Sequence, residues 1–248
     1  MAFAARALGV KAIIVMPSNA PKNKLEATAA LGAQIVTVGP SSEERRLRAE
    51  QLAAEHGYVI VPPYNDEKII AGQGTVGLEI LEDFRNEDLP NVETVLVPVG
   101  GGGLISGVSA AIKLSNPLRN PQIKVIGIEP ELAADAQASL RAGRIVSFPA
   151  EQVSQTLADG LRTQSIGGIN FEHIRAYVDD IVSVTEGEIR EAMRALSANA
   201  KTRAEPSGAV AVAAFLFHAG ELPETAINVA VISGGNIDPK LLAELRNR

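Results

Sequence analysis

The chain has 248 residues, enough for one large domain or two lobes, and its 46% hydrophobic and 21% charged content belongs to a folded protein, not a disordered one. With 23 basic against 29 acidic residues the net charge is -6, and no basic run marks a face for nucleic acid. The absence of cysteine excludes a disulfide framework, thiolate catalysis and cysteine-zinc sites. Together with the lack of an unbroken apolar core near the start, it fits a cytoplasmic protein without a signal peptide. The longest apolar run, Gly208 to Phe217, falls far short of the roughly 20 residues that span a bilayer, so no membrane association is expected.

In chain order, Ala2 to Leu8 reads as a helix with nothing ahead of it to satisfy its first amides, as if the beginning were cut. Lys11 to Met16 (KAIIVM) is a buried strand, and Pro21 to Leu31 a helix stopped by Gly32 ahead of the strand Gln34 to Val38. Glu43 to His56 is a charged amphipathic helix and Tyr58 to Val61 a short strand. After the loop PPYNDEK, a helix spans about Thr75 to Phe84, and the strand Thr94 to Val99 runs through a glycine tract into a helix from Leu104 to about Leu114. Leu104, Ile105, Val108, Ala111 and Ile112 share one face of that helix. Lys124 to Ile128 (KVIGI) is a further strand, and Thr185 and Glu188 form a capping box for a helix over Gly187 to Asn199. Ile227 to Ile232 (INVAVI) is the last buried strand. Strands alternating with helices predict a parallel sheet with crossover helices, because parallel neighbours cannot be joined by hairpins.

The tract LVPVGGGGLISG concentrates four glycines, Gly100 to Gly103, between a strand and a helix start. Each glycine costs about 0.5 to 1 kcal/mol relative to alanine where ordinary backbone would serve, so the run implies a close approach to the backbone. Bare amides and a helix N-terminus suit a phosphate; a purely structural turn is the other reading. No lysine of the GK[ST] type follows, which argues against a nucleoside triphosphate loop. Gly101, Gly103 and Ser106 miss the dinucleotide pattern at its third position. A second pair of glycines closes the last strand in AVISGGNID, and TRAEPSGAV places Glu205 and Pro206 at a helix start.

Taken together and in order, AGQGTVGLEI, VPVGGGGLISG, GIEPELAAD, TLADGL, AEPSGAVAVAA and VISGGN resemble the threonine/serine dehydratase and serine racemase family of fold-type II pyridoxal-phosphate enzymes. The resemblance implies an α/β fold of two lobes, tryptophan synthase beta-like, with open, mostly parallel sheets, helices on both faces and an incomplete N-terminus. Residues 1–64 would be the remainder of a small lobe and 65–248 the large cofactor-binding lobe. It implies pyridoxal 5'-phosphate as cofactor, its phosphate held by Gly100, Gly101, Gly102, Gly103 and Leu104. Ser233 would meet the pyridine nitrogen, with Gly234 and Glu205 close by; a neutral hydroxyl does not hold that nitrogen protonated. The reaction implied is loss of the α-proton and β-hydroxyl from a hydroxy amino acid, giving a 2-oxo acid and ammonia. GIEPELAAD is similar to the divalent-cation site of some members, with Glu129, the Ala133 carbonyl and Asp135 as oxygen ligands for magnesium, manganese or calcium. A homo-oligomer, specifically a dimer, with a small amino acid as substrate goes with the same resemblance.

The family's Schiff-base lysine lies in an S-x-K-x-R-G motif and its ring-holding loop in S-x-G-N-H; neither occurs in this sequence. Lys11, Lys22, Lys24, Lys68, Lys113, Lys124, Lys201 and Lys240 stand in no matching context and read as solvated surface residues. The expectation is therefore an N-terminally shortened member with no catalytic residue assigned and no dehydratase activity by itself. Two alternatives stand beside it: a racemase of the same family, and a non-catalytic module that binds a phosphorylated ligand. A nicotinamide-dependent oxidoreductase would need Glu129 to bind a ribose. A serine hydrolase lacks G-x-S-x-G, and His56, His173 and His218 neighbour no nucleophile in sequence.

Overall fold

Two compact units make up the chain in the computed structural model, Met1–Val61 with Asp238–Leu242 and Pro62–Ile237 with Ala243–Arg248. The structure describes residues 1–86, 91–115, 123–199 and 202–246. In the first unit α1 (Ala2–Ala7), β1 (Ile13–Pro17), α2 (Lys22–Ala30), β2 (Gln34–Val38) and α3 (Ser42–His56) alternate as the sequence predicts. β1 and β2 are parallel, in register from Ile13 opposite Gln34 to Pro17 opposite Val38, with α2 as the crossover that parallel pairing requires. Ser41 Oγ caps α3 by accepting from the Glu43 amide at 3.2 Å, and Gly57, at φ +69°, ends it. The strand expected over Tyr58 to Val61 is absent. These residues pair with no neighbour and Val59 is 90% exposed, so the apolar run lacks the partner that turns an extended segment into a strand.

The second unit begins with α4 (Glu67–Asn86), β3 (Thr94–Pro98), α5 (Gly103–Leu114), β4 (Lys124–Pro130), α6 (Asp135–Ala142) and α7 (Ala150–Val153). It continues with α8 (Gly168–Tyr177), β5 (Asp180–Val184), α9 (Glu186–Asn199), α10 (Pro206–Phe217) and β6 (Asn228–Ala230); α11 (Pro239–Arg246) ends the described residues. The four strands form one sheet in the order β5-β4-β3-β6, and every pairing is parallel. β3 is buried at all five positions, as a central parallel strand must be. Side-chain alternation sends Val95, Val97 and Val99 into one cluster with Ile105, Val108 and Ile112 of α5, while Leu96 points to the opposite face. α10, an almost wholly apolar helix, packs against β3, β4 and β5. No helix among the described residues is long and apolar enough to cross a membrane.

Three elements depart from expectation. α4 starts at Glu67, well before Thr75, because the Asp66 carboxylate accepts from the amides of Lys68 (2.8 Å) and Ile69 (3.1 Å) and caps it there. β5 has no counterpart among the predicted strands. INVAVI supplies only the three residues of β6, the edge strand. The capping box is present: the Thr185 amide donates to Glu188 Oε2 (2.7 Å) and the Glu188 amide to Thr185 Oγ1 (3.3 Å).

Candidate functional site

β4, β3 and β6 are neighbours and parallel, so their carboxyl ends share one edge of the sheet. Each passes the chain to a segment already singled out: Glu129 at the end of β4, Gly100–Gly103 after β3, Ser233–Gly234 beyond β6. Open parallel sheets bind ligands beyond these ends.

The glycine run is shaped by what lies against it. Gly102, the N-cap of α5, has φ +92°, a left-handed conformation that costs a residue with a Cβ roughly 1 to 2 kcal/mol. A Cβ there would also fall 2.8 Å from Asn170 Cβ. At Gly101 it would lie 2.2 Å from Cδ1 of the Tyr64 ring, at Gly103 3.0 Å from Tyr64 Cβ, and at Gly100 3.3 Å from Leu161 Cα. No side chain caps α5, so the amides of its first turn, Leu104 included, and the positive end of its dipole converge on the bare loop. Such a cradle fits a phosphate.

Glu205 is the N-cap of α10 with Pro206 at the first helical position. Its amide donates to Gly234 O at 3.0 Å, and a Cβ at Gly234 would lie 2.4 Å from Glu205 Oε1. Glu205 and Gly234 are thus in contact, and Ser233, exposed, precedes them on the same loop. A bridge joins this corner to the glycine run: Ser207 Oγ accepts from the Gly160 amide at 2.9 Å, and the Gly160–Leu161 backbone abuts Gly100.

Glu129 and Asp135 are fully buried side by side. Burial pushes the Glu129 carboxyl well above its ordinary range and the neighbouring Asp135 pushes it further, against hydrogen bonds from the amides of Gln137 (2.8 Å) and Ala136 (3.0 Å) at the start of α6. Burial raises Asp135 to about 7. Neither of its carboxylate oxygens has a hydrogen-bond partner; the amides of Asp135 and Ile166 are near enough to oppose the shift but make no bond of normal geometry. Ala133, also buried, ends the one-turn helix between them. No group of three or more His, Cys, Asp or Glu side chains placed to hold a metal exists among the described residues.

Sequence alone does not single out Tyr64, Asn170 and Ser207. Tyr64 and Ser207 lie inside the motifs PPYNDEK and AEPSGAVAVAA, but Asn170 lies in none. Two lysines also differ from their reading as solvated: Lys113 Nζ donates to Ile123 O (2.8 Å) and to Asp179 (2.7 Å), and Lys124 Nζ bonds the same carboxylate at 3.0 Å. Lys201 lies outside the described residues.

A family model described as pyridoxal-phosphate dependent enzyme matches residues 1–234. The L-threonine ammonia-lyase of Thermotoga maritima is 46% identical over 100% of this chain, which spans 58% of that protein's length. Among solved structures, the threonine deaminase of T.th. superposes with a TM-score of 0.86 at 42% identity, over 96% of this chain and 73% of that one. Maize serine racemase superposes with a TM-score of 0.87 at 36% identity, over 99% and 72%.

Proposed function

Because the chain belongs to the pyridoxal-phosphate dependent enzymes, we propose that Gly100–Gly103 and Leu104 hold the cofactor phosphate of an ammonia-lyase that converts a β-hydroxy amino acid to a 2-oxo acid and ammonia. The observation that carries this reading is the uncapped start of α5 behind four glycines at the carboxyl end of the buried central strand. When bound, pyridoxal phosphate supplies an electron sink for the α-carbon of the amino acid. The chain's own residues bind and orient. The glycine amides hold the phosphate, and Ser233 offers the pyridine nitrogen a neutral hydroxyl. The Glu205 backbone N–H donates a hydrogen bond to Gly234 O and so fixes the Ser233 loop. No S-x-K-x-R-G segment occurs among these 248 residues, so α-proton removal is assigned to none of them. Racemisation at the same site is the second reading, favoured by the likeness to maize serine racemase.

Equilibrium dialysis against pyridoxal phosphate and against NAD tests the proposal: the first is retained and the second is not. Retention of NAD alone, or of neither, overturns it. Joined to a segment bearing S-x-K-x-R-G and S-x-G-N-H, the chain is expected to convert L-threonine to 2-oxobutanoate; by itself it is expected to yield none.

A divalent cation bound by Glu129, the Ala133 carbonyl and Asp135 is part of the same proposal. Two buried carboxyl groups packed together need either a proton or a cation between them, and the Asp135 oxygens accept no hydrogen bond of normal geometry from the protein. The cation would hold this corner of the β4–α6 connection.

A further inference from the structure

Four consecutive glycines make a loop that could adopt many conformations, and the entropy of ordering it would fall on whatever binds there. Here the loop is braced. The Tyr64 ring stands 2.2 Å from the position of a Cβ on Gly101, the Tyr64 Cβ and Cα crowd that of Gly103 at 3.0 and 3.2 Å, and Asn170 Cβ lies 2.8 Å from that of Gly102. The two braces are tied together: Asn170 Nδ2 donates to Tyr64 O and to Ser106 Oγ, both at 3.3 Å, and Ser106 Oγ donates to Asn170 O at 3.4 Å. Ser106 stands in the first turn of α5, and the Gly167 amide, just ahead of α8, donates to Gly101 O at 3.1 Å.

Asn170 is fully buried, and its Oδ1 accepts no hydrogen bond. A buried amide with one end unsatisfied is a costly choice for packing alone, where an aliphatic side chain would do better. What the amide supplies that an aliphatic side chain would not is Nδ2, which joins the Tyr64 backbone to the first turn of α5. The left-handed Gly102 lies between those two points, and such a conformation persists only where its surroundings over-determine it.

We propose that Tyr64 and Asn170 are positioning residues of the phosphate cradle, clamping Gly101–Gly103 so that the amides at the start of α5 are set before a ligand arrives. The proposal rests on the reading of the glycine run as a phosphate site. It places the discrimination between a phosphorylated ligand and its unphosphorylated form partly in two side chains that act through the glycine backbone.

The test is equilibrium dialysis of the 248-residue chain against pyridoxal 5'-phosphate and against pyridoxal, for the unaltered chain and for N170A, Y64A and Y64F. N170A and Y64A are each expected to lower the ratio of the two affinities about tenfold, mainly by weakening the phosphorylated ligand. Y64F keeps the ring and the carbonyl and is expected to restore the ratio. Should N170A not fold, Y64A against Y64F carries the same test. A fall in melting temperature with the affinity ratio unchanged in the folded variants overturns the proposal and leaves the pair a purely structural role. An unaltered chain that does not distinguish the two ligands removes the phosphate reading itself, an outcome separate from the first.

Discussion

Gly72 and Gly107 receive the same substitution in the first experiment, with opposite results expected. Alanine in place of glycine inside a helix is worth about 0.5 to 1 kcal/mol through backbone entropy alone. At Gly72, in α4, an added Cβ meets nothing within 4 Å, so Gly72→Ala is expected to stabilise by that amount. At Gly107, in α5, the Cβ would lie 2.3 Å from Ile70 O, 2.5 Å from Gly74 N and 2.7 Å from Gln73 C, all backbone of α4. Backbone cannot rotate away as a side chain can, so α4 must retreat by about 1 Å, and overpacking of a tight interface costs about 1 to 3 kcal/mol. The propensity gain is smaller than that cost, and Gly107→Ala is expected to destabilise by about 1 to 2 kcal/mol net. Urea denaturation followed by far-ultraviolet circular dichroism measures both. Because α5 carries the glycine run at its start, retention of pyridoxal phosphate should fall in G107A and hold in G72A. Equal stability of G107A and the unaltered chain, or shifts of the same sign in both variants, would refute the argument that backbone contact between α4 and α5 requires glycine.

In a thermal-shift assay, magnesium, manganese or calcium added after chelation is expected to raise the melting temperature of the unaltered chain but not that of D135N. An equal response in both would remove the proposed cation. His218 bonds Glu221 through Nδ1 (2.7 Å) and Glu188 through Nε2 (3.1 Å); burial pulls its pKa down, but these two partners outweigh burial and raise it above 6.5. The folded state therefore holds the proton more tightly, so this stabilisation is complete below the unfolded value near 6.5 and is lost as pH rises through the raised one. A pH series of melting temperatures should show that loss in the unaltered chain and a flatter profile in H218Q; identical profiles would exclude the linkage. T185A removes the cap of α9 and is expected to cost about 1 kcal/mol in urea denaturation, a value near zero excluding the capping box as a support.

The parallel sheet was legible because strands buried on both faces read as continuous apolar runs, as TVLVP and KVIGI do, and because a crossover helix separates each from the next. Burial is also what an apolar run cannot report by itself. Tyr58 to Val61 has the composition of a strand, yet no strand lies beside it to form a ladder, whereas the shorter Asn228–Ala230 pairs with Thr94–Leu96 and is one. The start of α4 was hidden for a different reason. Gly72 and Gly74, ahead of Thr75, look like helix breakers in sequence, but the buried Gly74 faces the Gly107 carbonyl of α5, 3.4 Å from where its Cβ would be. Local propensity and tertiary contact give opposite readings of the same residue, and the contact decides.

The glycine run shows the same division within the candidate site. Its position between a buried strand and a helix start is written in the order of residues, and the proposal of an anion site rests on that order. Its number of glycines is not explained by a ligand alone. Gly102 is demanded by its positive φ, Gly101 and Gly103 by Tyr64, and Gly100 is crowded by the Gly160–Leu161 backbone. Tyr64 arrives just ahead of α4 and Asn170 from α8, neighbours that only the folded chain brings together. Close-packed protein therefore acts on the side where Cβ atoms would stand, and the amides on the other side are left bare for the proposed phosphate. Packing and backbone conformation bear on all four positions and so account for four glycines in succession, while the proposed ligand accounts for the amides being left uncapped.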